Sequence, residues 1–157
     1  MSISIQQNDF DAAAELAALR ADNTGIGALV SFTGLVRDFS GDEHIEKLTL
    51  EHYPGMSEKS LTAILDQAHA RWNLIASRVI HRVGVLLPNE QIVFVATAAT
   101  HRSDAFAATE FIMDYLKTSA PFWKKEHTRH GAAWLETKAT DLDRSARWKT
   151  QSIGEIA

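Results

Sequence analysis

Two β-rich runs, SRVIHRVGVLL and EQIVFVATAAT, follow one another in the middle of the chain across PNE, and this pair most constrains the fold. Runs dense in valine, isoleucine and leucine on either side of a Pro-Asn turn suit an antiparallel hairpin. The flanking segments carry a different period. From Ser57 to Trp72, Leu61, Ile64, Leu65, Ala68 and Trp72 recur at helical spacing. From Asp104 to Lys117, Ala105, Ala108, Phe111, Ile112, Tyr115 and Leu116 do the same, with Ser103 placed to cap the helix and Pro121 preventing its simple continuation. A hairpin enclosed by two amphipathic helices predicts an α+β fold with a largely antiparallel sheet and two main helices, in preference to a doubly wound parallel sheet.

The remaining elements are shorter. Phe10 to Arg20 is alanine-rich and reads as a helix capped by Asp9. IGALVSFTGLVRD reads as a strand with Ala28, Val30, Phe32, Gly34 and Val36 on one face and Arg37 at its end. HIEKLTLEHY gives a second strand before a Pro-Gly turn, and AAWLETK a last one before a charged tail. No repeat or Gly/Ser-rich linker divides the 157 residues, and a 45% hydrophobic content suffices for one core. The expectation is a single domain over 1–157, with an N-terminal helix region at 1–24 and a charged C-terminal tail at 137–157.

A formal net charge of −4 argues against a general nucleic-acid or anionic-membrane surface, so any anion recognition must be local. No run approaches the length of a membrane span, and the N-terminus lacks a basic start followed by an apolar run; a cytoplasmic location is the expectation. The chain has no cysteine, which excludes disulfides, a cysteine nucleophile and thiolate metal sites. Sulfur chemistry, if any, must bring its sulfur on a substrate or partner.

Local charge gathers in two places. THRSD falls where an apolar strand gives way to a helix, whose first N–H groups favour anions; His101 and Arg102 stand beside that end, able to donate to an oxyanion and to grip a phosphate bidentately. Polar residues are also ordinary at such junctions, and a strand-end arginine such as Arg37 is more often solvated than functional. KTSAPFWKKEH crowds three lysines around a Pro-Phe-Trp hinge. The helix dipole accounts structurally for Lys117. Lys124 follows PFW, whose bulk can exclude water and, with neighbouring cations, lower an amine pKa toward a range useful for proton transfer or nucleophilic attack. Lys125 reads as solvated, and Glu126 as a partner for a lysine. His127 and His130 have helical i, i+3 spacing but no third ligand cluster, so no metal is expected. Walker, dinucleotide-binding and G-x-S-x-G motifs are absent. Residue chemistry alone leaves three readings of a cationic pocket: a catalytic site, a non-catalytic anion-binding scaffold subunit, or a Schiff-base lysine enzyme.

In order, GALVSFTGLVRD, LTLEHYPGM, IHRVGVLLPNE, ATHRSDAF, MDYLKTSAPFWKKE and GAAWLE resemble the large, catalytic subunit family of molybdopterin synthase from about Gly25 to Glu136. The resemblance implies an α/β hammerhead-type fold and a central dimer of large subunits within a heterotetramer. Each end would carry a small ubiquitin-like sulfur-carrier subunit ending in a Gly-Gly thiocarboxylate. It implies transfer of two sulfur atoms to cyclic pyranopterin monophosphate, giving the molybdopterin dithiolene, with no cofactor of the chain's own. It matches pocket roles to Phe32, Arg37, His101, Arg102, Lys117, Lys124 and Glu126. Lys117 and Lys124 would be catalytic, Arg37, His101 and Arg102 would hold phosphate and pterin, Phe32 would wall the pocket and Glu126 would orient a lysine. Lys138 stands where the family often has arginine, keeping the charge without the planar fork. Some of these residues would come from the neighbouring large subunit.

Overall fold

The computed structural model describes residues 1–149. The middle of the chain forms the expected hairpin: β6 (Leu74–Arg82) and β8 (Gln91–Ala99) pair antiparallel, with His81 opposite Val93. β2 (Ala28–Leu35) lies antiparallel on the other side of β8, from Ala28 opposite Ala99 to Leu35 opposite Gln91. The fourth strand, β1 (Ser2–Gln6), escaped the sequence reading; it adds in parallel to β6 and gives the order β1-β6-β8-β2. β8 is buried from Ile92 to Ala99, as a central strand covered on both faces must be, and this explains its unbroken apolar run.

The run SRVIHRVGVLL is not one strand. Gly84, at φ 93°, turns the chain out of the central sheet, and β7 (Gly84–Leu86) joins a second sheet by pairing with β5 (Lys47–His52). That sheet has the order β10-β9-β5-β7 and is antiparallel throughout. Its β9 (Phe122–Thr128) and β10 (Gly131–Trp134) correct two expectations at once. PFWKKEH is strand rather than hinge, and His127 and His130 are not on a helix: His127 hydrogen-bonds Thr49 at 2.9 Å from within β9, and His130 lies in the following turn. Between β2 and β5 sits a small hairpin of β3 (Phe39–Ser40) and β4 (Glu43–His44).

α2 (Met56–Arg71) and α3 (Arg102–Ser119) cover one face of the central sheet. Their Leu61, Leu65, Phe111 and Ile112 pack in one core with Val79 and Val95. The alternate residues Ile80, Phe94 and Ala96 face the other way, toward Leu16 and Leu19 of α1 (Ala12–Arg20) and toward Phe10. Thr97 is buried without penalty because its hydroxyl donates to the Ala105 carbonyl and meets Thr109 Oγ1, which fixes α3 on β8. The N-cap of α1 is Asp11, whose carboxylate accepts from Ala14 N–H, whereas Asp9 accepts from Phe10 N–H and Gln91. At α3 the N-cap is His101, and Ser103 lies inside the first turn.

The charged tail is also folded up to the last described residue. α4 (Ala139–Ala146) and a 3₁₀ turn (Arg147–Lys149) return to the core, where Trp148 is buried edge-on against Trp72 and Phe111 at 5.6 and 5.5 Å. Asp114 on α3 accepts from Trp148 Nε1 at 2.8 Å and from the Arg147 guanidinium at 2.9 Å, while Arg71 donates to the Trp148 carbonyl. The part of the predicted tail at 150–157 lies outside the described residues. Among the described residues, four helices, two mostly antiparallel four-stranded sheets and the small β3-β4 hairpin make the molecule mixed α+β, as the sequence predicts.

Candidate active site

A cleft of about 710 Å³ opens between the end of β2, the C-terminal end of α3, the inner face of β9 and the stretch from Leu135 to Asp141. Its polar lining follows from strand and helix geometry. Side chains alternate along a strand, so Lys124 and Glu126 of β9 share one face, opposite Leu50 and Leu48 of β5, and both line the cleft. Lys125 points to the other face, its amine 5.3 Å over the Trp134 ring. Lys117 enters from the last turn of α3, and Arg37 from just beyond β2, where its guanidinium lies 5.7 Å from the Phe39 ring centroid. Phe32 forms part of the wall.

The folded C-terminal segment completes the enclosure. Leu135 N–H donates to the Lys124 carbonyl at 2.7 Å, which carries the chain on past Glu136 to Lys138, the N-cap residue of α4. One turn later Asp141 reaches back, its Oδ1 3.9 Å from Lys117 Nζ. Arg37, Lys117, Lys124 and Lys138 thus share the cleft with Glu126, Glu136 and Asp141. Burial pushes the Lys124 amine below the usual lysine range; Lys117 and Lys138 push it the same way, and Asp141 and Glu126 oppose them. An amine so placed can exchange a proton nearer neutrality.

His81 is the residue that sequence reasoning missed most completely. It is 2% exposed, stacks on Phe122 with centroids 3.8 Å apart and planes 10° from parallel, and borders the cleft beside Val93. Burial holds its pKa down to about 4, so it is neutral at ordinary pH. Asp141 was missed because it fell in a segment read as tail, and nothing in its local sequence marks it.

His101 and Arg102 do not reach this cleft. They stand at the opposite end of α3 from Lys117, and fifteen residues of helix separate Arg102 from Lys117 by about 22 Å. Of the eight residues predicted for the pocket, the fold gathers Phe32, Arg37, Lys117, Lys124, Glu126 and Lys138 within one chain and leaves these two outside.

Comparison with known proteins gives a consistent picture. The family model described as MoaE protein matches residues 5–119. The molybdopterin synthase catalytic subunit of Ralstonia nicotianae is 56% identical over 147 residues, covering 94% of this chain and 84% of its own length. That of Pseudomonas aeruginosa is 50% identical over 149 residues, covering 95% and 99%. The solved structure of a molybdopterin biosynthesis MoaE protein from Burkholderia ambifaria MC40-6 superposes with a TM-score of 0.82 at 54% identity, covering 96% of this chain and 99% of that one.

Proposed function

Because the chain belongs to the MoaE protein family, we propose that it is the catalytic subunit of a molybdopterin synthase. It takes sulfur from the C-terminal thiocarboxylate of a small sulfur-carrier subunit and adds it to cyclic pyranopterin monophosphate, forming the molybdopterin dithiolene. The observation that carries this reading is the convergence of Arg37, Lys117 and the partly buried Lys124 in one cleft. Cations fixed in a partly dehydrated cavity stabilise a developing oxyanion without reorganising. Lys117, at the rim and half-exposed, meets the incoming glycine terminus. Lys124, deeper, moves the proton as sulfur adds and the acyl link is hydrolysed. Glu126 orients a lysine, Phe32 walls the pterin, and Arg37 and Lys138 hold phosphate.

His101 and Arg102 act in the cleft of a second copy. β2 is an edge strand, and Phe32 and Leu35 on it are 42% and 49% exposed. Two such edges pairing antiparallel about a twofold would set the Ala28 end of one copy, which lies beside Ala99 and the start of α3, against the Leu35 end of the other, where the cleft opens. A homodimer with one small subunit at each end fits this arrangement. No helix among the described residues is long and apolar enough to cross a membrane.

The test replaces Lys117 and Lys124 separately by alanine, verifies folding by circular dichroism, and measures dithiolene formation with thiocarboxylated small subunit. Each variant is expected to lose about a hundredfold or more in turnover, the scale of removing one preorganised transition-state contact. Near-normal turnover in both would end the proposal.

A further inference from the structure

The cleft is rich in donors, yet its floor holds one neutral nitrogen that can only accept. His81 Nδ1 lies 2.8 Å from the Arg82 carbonyl oxygen, and a carbonyl accepts, so Nδ1 carries the ring proton. The tautomer is therefore fixed, and Nε2 bears a lone pair. Among the described residues no group donates to Nε2, and no buried side-chain nitrogen or oxygen is sealed off without a partner, so Nε2 keeps some access, and His81 is one of the residues lining the cleft. The stack on Phe122, which also lies against His52 at 6.3 Å, holds the ring plane.

We propose that His81 is a substrate-contacting specificity residue whose Nε2 accepts a hydrogen bond from a ring N–H of the reduced pterin. This rests on the pterin-binding reading above. A phosphate or a thiocarboxylate offers only acceptors and is served by Arg37, Lys117, Lys124 and Lys138. A reduced pterin also offers ring N–H donors, and one of the cleft carboxylates, Asp141, already faces a cation, Lys117, at 3.9 Å. A neutral imidazole accepts from such an N–H without attracting a lysine as strongly as a carboxylate does. Recognition by a buried acceptor also discriminates, because an analogue lacking the N–H leaves that acceptor unpaired.

Two measurements test this. In wild-type protein labelled with ¹⁵N-histidine and kept without small subunit, cyclic pyranopterin monophosphate should move the Nε2 resonance of His81 upfield, in the direction of hydrogen-bond acceptance, and inorganic phosphate should not. In His81→Phe, which keeps a ring to stack on Phe122, KM for the pterin should rise about tenfold with kcat changed less than about threefold, as loss of one uniform binding contact requires. A resonance unmoved by a pterin that the wild type converts, or an unchanged KM in folded His81→Phe, overturns the role of His81 alone. If the wild type fails to convert the pterin at all, the functional reading falls and this inference falls with it.

Discussion

Asp141 Oδ1 lies 3.9 Å from Lys117 Nζ, so a carboxylate from α4 faces the amine that closes α3 across the mouth of the cleft. The same carboxylate pulls the pKa of Lys124 upward, while Lys138, three residues before it, pushes it down. The cleft's working amine is therefore set between two opposed charges carried by one short segment.

Opposite pH shifts follow for two neighbouring substitutions. Lys124 accepts a proton in its neutral form, so turnover rises as pH climbs through its pKa. Lys138→Met removes a cation that lowers that pKa and should move the ascending limb of the kcat profile to higher pH; Asp141→Asn removes an anion that raises it and should move the limb to lower pH. Profiles that shift the same way, or not at all, would disprove this electrostatic assignment.

Subunit complementation tests the placement of Arg102. Lys124→Ala and Arg102→Ala should each be inactive alone. Re-associated in equal amounts, they form mixed dimers in which one cleft is intact, and about a quarter of wild-type activity should return if the two residues meet across copies. No recovery, with mixed dimers demonstrated by mass, would mean that Arg102 acts in its own chain or not in the cleft.

His81 also links stability to acidity. Its folded pKa of about 4 lies below the ordinary value near 6.5, so the unfolded chain binds more protons between these limits. The stability contribution is complete above about pH 6.5 and is lost as pH falls toward 4, by roughly 3 kcal/mol at most. Urea unfolding at pH 7 and pH 4.5 should show this loss in the wild type and a smaller one in His81→Phe; equal losses would show that other groups account for the acid sensitivity.

Asp114 holds the C-terminal segment to the core through Trp148 and Arg147. Replacing it by alanine leaves the indole N–H, buried on that side, without its acceptor and should destabilise the protein by about 2–4 kcal/mol. Because Lys138 and Asp141 ride on this segment, kcat/KM should fall even at temperatures where the variant is folded. A variant with wild-type Tm and turnover would show that the clamp is dispensable.

The sequence made some of this legible and hid the rest for physical reasons. α2, α3 and β8 announce themselves because burial demands a long apolar pattern, with Leu61, Ile64, Leu65 and Ala68, then Phe111, Ile112 and Leu116, and Val93 to Ala96 in the core. β9 does not, because both its faces carry charge: Lys124 and Glu126 line a cleft and Lys125 meets Trp134. A binary apolar pattern cannot report a strand whose inner face is a polar site. β1 is a five-residue edge with alternate serines, and the tail is anchored by tertiary partners, Trp148 on Trp72 and Phe111, that no local window contains. The candidate cations could be picked out one by one, yet the length of α3 between Arg102 and Lys117 decides which share a cleft.

The alternation on β9 leaves little tolerance for changes in chain length. Adding or deleting a single residue ahead of Lys124 would swap the two faces of the strand, sending Lys125 inward and leaving Lys124 and Glu126 in solvent. The same change in the Arg129–His130 turn could be absorbed by the loop itself. Insertions a few positions apart in this ribbon should thus differ between abolishing the chemistry and leaving it untouched.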